Sequence, residues 1–396
     1  MTRSTTESVL LSAKYSPSCY VCLRSLAERG VRTVVVSPHE GVPAFASRYC
    51  EESIVVPSPN DDLLAYRDAL LSVADRPEVA AFVPIWEEDA YLLGKYGEAF
   101  GARVGGAWPD FETLRSVQDR LRLAEVAADA GVAVPTTQSF DDVDDWDRER
   151  ILKSRYNLLA GEYVDSFSER DAELNKTLKY LAPGEEPDPE TVYAALNHVP
   201  IAQETVTGGA DEYAFIALYD RGEPVATYQK HQIRAKTYAG GTSVYRESVA
   251  VPALERAGRA LLGELDWHGL AEVEFLRDPE TGEFELMEVN PRMWASVACA
   301  IEAGADFPYY YWRLATGEAD GIDDEYAVGT GNHSLFGELQ HLSSVLRDDY
   351  PDVERPAFDR RLWEIAASCY SQPNFDYLRL DDPGPFVRGV RDAVRL

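Results

Sequence analysis

The sequence predicts an α/β chain in two parts, an N-terminal parallel α/β unit and a larger α+β region built on antiparallel sheets. Three observations carry this expectation. Short apolar runs alternate with helical stretches over about the first hundred residues, the pattern of a doubly wound parallel sheet. Apolar runs separated by turn residues follow, as antiparallel strands require. The 396 residues, 45% of them hydrophobic, are too many for one ordinary core and too apolar for intrinsic disorder.

In order, residues 9–11 and 31–36 read as buried parallel strands joined by a helix over 19–29 that Gly30 ends. A strand at 53–56, a helix at 61–73 and a strand at 80–85 complete the unit. The turn after the first strand, Ser12-Ala13-Lys14-Tyr15-Ser16-Pro17-Ser18, holds no glycine, so a dinucleotide site of the G-x-G-x-x-G type is not expected. Residues 110–131 read as one helix, 151–153 as a strand edge carrying Lys153, and 165–197 as a helix plus loop. Strands are expected at 201–206, 213–219 and 224–229, and an amphipathic helix at 256–265. Two further strands, 270–276 and 283–289, flank the hairpin turn Arg277-Asp278-Pro279-Glu280-Thr281-Gly282. The boundaries so drawn are 1–110, 111–200, 201–320 and a C-terminal extension over 321–396.

Composition narrows the function classes. The net charge is −30, from 68 acidic against 38 basic residues, of which only 7 are lysine. Such a surface repels nucleic acid and anionic membranes. Its even spread along the chain predicts adaptation to concentrated salt, hence a halophilic source. No run of about 18 apolar residues and no signal-peptide pattern occurs, so a cytoplasmic protein without a membrane span is expected. The 5 cysteines are scattered; Cys19 and Cys22 read as helix packing rather than a redox pair.

The sharpest chemical feature is the hairpin. Centred near Thr281, its turn sets Glu274 across from Glu288 and Glu272 across from Asn290, on one face together with Leu276 and Leu286. Opposed carboxylates destabilise a sheet unless a positive charge lies between them, and oxygen donors alone favour a hard cation such as magnesium.

Met287-Glu288-Val289-Asn290-Pro291-Arg292, preceded by Glu272-Val273-Glu274-Phe275, resembles the metal signature of the ATP-grasp ligases, among them carbamoyl-phosphate synthetase, biotin carboxylase and D-alanine–D-alanine ligase. The resemblance covers nearly the whole chain and is nearest to carboxylate–amine ligases. It implies a grasp of two subdomains and an enzyme that uses ATP to activate a carboxylate as an acyl phosphate and couple it to an amine. Glu274, Glu288 and Asn290 would hold two magnesium ions, with manganese an alternative. Arg120 and Lys153 are similar to the phosphate contacts, although lysine is commoner than arginine at the first. Gln203-Glu204-Thr205-Val206 resembles the hinge, where Glu204 and the backbone at Val206 would meet adenine; Glu212, or alternatively Asp211, would reach the ribose. Lys230 and Arg234, followed by Gly240 and Gly241, look like a glycine-containing lid and acyl-phosphate clamp, a plain loop being the other reading. Arg292 lies where the family binds the acceptor carboxylate. Glu272 stands where some members carry a catalytic arginine, which leaves that work to Arg292 or Arg234.

Trp86-Glu87-Glu88-Asp89 could hold a substrate amine or simply start a helix. Rival readings are an ATP-dependent carboxylase or carbamoyl-phosphate former, and an ATP-binding sensor without turnover; a dehydrogenase is the weakest. The aromatic run at 309–312 and the 376–383 stretch read as packing or as the contact of a homodimer.

Overall fold

The computed structural model describes residues 7–174, 178–206, 211–350 and 353–395. The first four strands, β1 (Ser8–Ser12), β2 (Arg32–Ser37), β3 (Glu52–Val55) and β4 (Val79–Val83), form a parallel sheet of order β3-β2-β1-β4. Helices α1 (Ser18–Glu28), α2 (Leu63–Ala74), α3 (Glu87–Lys95) and the short α4 (Gly97–Gly101) accompany it. β1 is buried on both faces, Val9 and Leu11 packing in one core and Leu10 in another, as a covered parallel strand requires. Cys19 and Cys22 are buried in the same core as Val9, which accounts for their spacing. The chain moves to one side of β1 for β2 and β3 and to the other for β4, so the strand order reverses between β1 and β4. Open α/β sheets bind ligands at that point, beyond the carboxyl ends of the strands.

The helix expected over 110–131 is two helices, α5 (Phe111–Gln118) and α6 (Arg120–Asp129). Asp119 separates them with extended backbone, φ −92 and ψ 109, and its carboxylate accepts from the Leu121 amide, capping α6. The same carboxylate pairs with Arg155 at 2.7 Å. A second sheet of order β5-β10-β6-β9 is antiparallel and comprises β5 (Thr137–Ser139), β6 (Arg150–Lys153), β9 (Leu178–Leu181) and β10 (Ile201–Glu204). Between its strands lie the ribbon β7 (Leu159–Ala160) with β8 (Ala172–Glu173), and the helix α7 (Pro189–Leu196).

The third sheet has six strands in the order β15-β14-β11-β12-β13-β16. They are β11 (Asp211–Asp220), β12 (Glu223–Thr237), β13 (Gly240–Ser248), β14 (Gly269–Arg277), β15 (Phe284–Asn290) and the edge strand β16 (Gly331–His333). The segment from Lys230 to Arg234, expected as part of a loop or lid, is strand. β12 runs on through it for 15 residues, because its pairing with β13 continues past the end of β11. One face of the sheet is apolar. Phe215, Val273, Phe275 and Trp267 pack there with α5, α6 and α8 (Pro252–Glu264), each such side chain contributing about 1.5–3 kcal/mol by leaving water. The other face meets α1, α9 (Val297–Glu302) and α10 (Phe307–Ala315) through Ala214, Ile216 and Tyr228. On that face the chain places its charged residues. α11 (Leu335–Arg347), α12 (Phe358–Ser371) and α13 (Gly384–Arg395) finish the chain. Among the described residues no helix is long and apolar enough to cross a membrane.

Candidate active site

The register of β14 and β15 sets Glu272 opposite Asn290 and Glu274 opposite Glu288, as the turn position predicts. One detail differs. A bulge follows Glu274, so that Phe275 faces Leu286 and Met287 is the extra residue. Leu286 is thereby turned to the apolar face with Val273 and Phe275, not to the face of the acids. Asn290 lies at the centre of the carboxylates, its Nδ2 donating to Glu272 at 3.4 Å, Glu274 at 3.2 Å and Glu288 at 3.3 Å.

Burial, and then the charges of Glu288, Glu272 and Glu212, hold the Glu274 carboxyl well above its ordinary value. Burial pushes Glu212 up to about 7. Cations compensate from three directions. From β12, Lys230 donates to Glu272 at 2.7 Å and to Ser296 at 2.8 Å; its burial opposes charge, but Glu272 and Glu274 outweigh it and raise the ammonium. From α6, Arg120 reaches Glu288 at 2.9 Å and the carbonyl of Ser154 at 2.9 Å. From two residues past the end of β15, Arg292 donates to the Asn290 side-chain oxygen at 3.0 Å and to Glu87 at 2.6 Å. Lys153, on β6, is buried beside Arg120. Burial, then the Arg120 charge, brings its ammonium down to about 7.

The site is therefore assembled from all three sheets. Arg120, Lys153, Lys230, Glu212, Glu274, Glu288, Asn290 and Arg292 come together. Gln203 is buried and lies on the same face of its sheet as Lys153, the pairs Ile201–Lys153 and Gln203–Ile151 being in register. Glu204 points the other way, its carboxylate held by Arg148 at 2.8 Å. Val206 precedes residues 207–210, so the Gly208-Gly209-Ala210 part of the ribose motif lies outside the described residues. Gly240 and Gly241 have φ of +130 and +100 and turn the β12–β13 hairpin; the Gly241 carbonyl is 3.4 Å from Gln232, which itself donates to Glu212 at 3.0 Å.

Arg234 is a correction. Its guanidinium is buried in a two-pronged pair with Glu338 of α11, 2.9 Å at each contact, and donates to Ser368 of α12 at 2.8 Å. A register shift between Gln232 and Arg234 turns it off the row of Lys230 and Gln232. It joins the sheet to the C-terminal helices instead of facing the acids. The hairpin tip is likewise docked: Tyr238 donates to the Asp348 carbonyl at 3.2 Å and accepts from the Tyr350 amide at 3.0 Å.

Three residues beyond the expected set belong to the cluster. Glu272 and Ser296 anchor Lys230. Glu87, at the start of α3 and the carboxyl end of β4, ties the parallel sheet to Arg292; the acidic run at 86–89 was its signal. The neighbouring Glu88 pairs with Lys14 at 2.6 Å, and Lys14 stands 4.8 Å over the Trp86 ring. Asp89 accepts from the Ile85 and Trp86 amides at 3.1 and 2.9 Å, a helix-starting role. Among the described residues no three His, Cys, Asp or Glu side chains form a ready metal cage; two carboxylates are presented together, and the Asn290 oxygen, here held by Arg292, would join them on rotation of its amide, a set that suits a hard ion sharing its shell with phosphate. An open cavity of about 790 Å³ lined by Tyr96, Trp108, Arg221, Asp266 and His268 shares no residue with this cluster.

No family model matches the sequence, and no curated protein matches it. Solved structures do. N5-carboxyaminoimidazole synthetase from Staphylococcus aureus, complexed with ADP, aligns over 94% of this chain and 100% of its own, at 14% identity and a TM-score of 0.60. L-amino acid ligase from Bacillus licheniformis aligns over 83% and 79%, at 13% identity and 0.58. A pyruvate carboxylase from Rhizobium etli aligns over 82% of this chain but only 30% of its own, at 17% identity and 0.60. At such identities the likeness is one of fold: the chain has the ATP-grasp fold, a parallel α/β sheet followed by antiparallel sheets. These three structures are of a synthetase complexed with ADP, a ligase and a carboxylase.

Proposed function

We propose that the protein is an ATP-dependent ligase that activates a carboxylate as an acyl phosphate and couples it to an amine. The observation that carries this reading is the cross-strand set Glu274, Glu288 and Asn290, hemmed in by Arg120, Lys153, Lys230 and Arg292. Four buried or half-buried cations around carboxylates that repel one another are an arrangement for binding phosphate through a divalent ion.

Glu274, Glu288 and Asn290 would hold magnesium, with manganese the alternative, and the ion would neutralise the nucleotide phosphates. Lys153 and Arg120 contact the phosphates nearer the base. Lys153, whose ammonium burial and Arg120 bring down to about 7, is held charged as phosphate arrives. Glu212 meets the ribose. At the hinge the Glu204 carbonyl and the Val206 backbone meet adenine, because the Glu204 side chain is turned away, and Gln203 lines the same face. Lys230 and Arg292 then steady the group in transfer, and the hairpin of Gly240 and Gly241 covers it against water. A substrate carboxylate oxygen bonds to the γ-phosphorus as the bond to ADP breaks. The amine nitrogen next attacks the acyl carbon, inorganic phosphate leaves, and the nitrogen loses a proton.

The amine acceptor is assigned to Glu87 and Glu88. Each keeps one buried carboxylate oxygen with no hydrogen-bond partner among the described residues, at the point where the parallel sheet reverses its order. The N–H groups of an amine satisfy such oxygens, whose charges Arg292 and Lys14 already balance. Glu288→Gln tests the assignment: ADP release in the presence of acid, amine and magnesium should fall at least about a hundredfold, with an unchanged circular dichroism spectrum. A variant that retained activity would remove the metal assignment.

A further inference from the structure

Cross-strand neighbours carry the polar face of the large sheet well past the metal carboxylates. Gln232 on β12 faces Arg246 on β13, and Arg246 faces Asn332 on β16. This row starts from Glu212, to which Gln232 donates at 3.0 Å. Arg246 is 1% exposed and Asn332 fully buried. Asp376, from the segment that follows α12, pairs with Arg246, so the guanidinium charge is already cancelled. Its Nε is nevertheless without a partner among the described residues, and so are both amide atoms of Asn332 and the Gln232 oxygen. Leaving buried polar groups of this kind unpaired is destabilising. One helix residue and a strap wall the place in: Cys299 of α9 approaches the Arg246 and Thr330 carbonyls at 3.7 and 3.6 Å, and the strap lies along β16, the Asp376 amide donating to the His333 carbonyl at 3.1 Å.

We propose that Arg246 and Asn332 form the specificity end of the acyl-substrate pocket, reading a primary carboxamide at the far terminus of the carboxylic acid. The open valences define that group. Arg246 Nε–H and the Asn332 NH₂ are donors and the Asn332 oxygen is an acceptor, so the ligand brings both an acceptor and a donor. Since Asp376 balances Arg246, the group is neutral. A carboxamide fits on both counts, whereas a methyl or isopropyl terminus leaves every atom unpaired. Reach is adequate. Arg246 lies one strand and one residue pair from Lys230, which faces Ser248, or roughly 8 Å between Cα atoms at ordinary sheet spacing. The assignment rests on the ligase reading above.

The test uses the full chain and the monoamides of succinate, glutarate and adipate, each against the acid of equal length ending in isopropyl. With pooled amines, ATP and magnesium, at least one monoamide is expected to drive ADP release at least tenfold faster than its isopropyl counterpart. Asn332→Leu should cut that preference below about twofold by raising KM for the amide. Its thermal stability should equal or exceed that of the parent, since an unpaired buried amide is removed. Binding without turnover gives the second readout: the preferred monoamide alone should raise the melting temperature of the parent and not of Asn332→Leu. That shift without any ADP release would uphold this site and reject the ligase reading. Equal response to both acid series, or a crystal structure with the monoamide at saturation that shows only an ordered water between Arg246 and Asn332, would overturn the proposal.

Discussion

Lys153 shows how one side chain can report on the whole site. Its ammonium titrates at about 7 in the free protein because burial, then Arg120, disfavours the charge. The unfolded chain holds that proton up to about 10.4. Between these values the unfolded state binds more protons, so this group makes the protein more stable as pH rises from 7 towards 10, and below 7 its penalty is constant. Lys153→Met is expected to flatten that rise in melting temperature. It should also weaken ADP binding at least tenfold at pH 6, below the parent lysine's value; scanning calorimetry checks the first outcome and calorimetric titration the second. Arg292 is the second residue to probe. It holds Asn290 and Glu87 with a planar fork that lysine lacks. Arg292→Lys should lower kcat by about ten- to a hundredfold and leave KM for ATP within about threefold, read from steady-state ADP release.

At the scale of elements, the β14–β15 hairpin was the most legible part of the chain. Strand alternation and a turn of recognisable residues fix which side chains share a face, and the pairing of Glu274 with Glu288 followed from that alone. The bulge at Met287 did not follow, because an added residue leaves no mark in an apolar run. β12 was misread at its far half for a related reason. The charged stretch at 230–234 beside a glycine pair has loop composition, and only its pairing with β13 makes it strand. Arg234 suffered most, since its partner Glu338 is 104 residues away. Glu338→Ala should therefore cost about 3–5 kcal/mol by leaving Arg234 buried and unpaired. Replacing both with methionine should recover most of that loss and retain ADP release within about threefold. Urea unfolding and the activity assay read the two outcomes; a stable but inactive double variant would return Arg234 to the catalytic set.

For the whole molecule, the parallel unit and the absence of a glycine fingerprint were legible because they depend on local pattern. The meeting of three sheets at Glu87, Arg120, Lys153 and Glu288 depends on contacts between distant segments, and only the family resemblance anticipated part of it. The net charge of −30 acts at this scale too. Self-repulsion extends over a Debye length of about 10 Å at 0.1 M salt and about 3 Å at 1 M. Melting temperature is expected to rise by several degrees from 0.1 to 2 M potassium chloride, and an unchanged or falling value would refute adaptation to salt.

The central claim is that a carboxylate oxygen attacks ATP in this site. Supplying pooled acids labelled with ¹⁸O in the carboxyl group, together with amines, ATP and magnesium, tests it by mass spectrometry of the phosphate released. Inorganic phosphate carrying one ¹⁸O is expected, formed only when acid and amine are both present and absent with Glu288→Gln. Phosphate released without label, at a rate indifferent to the acid, would mean that water is the nucleophile and would contradict it.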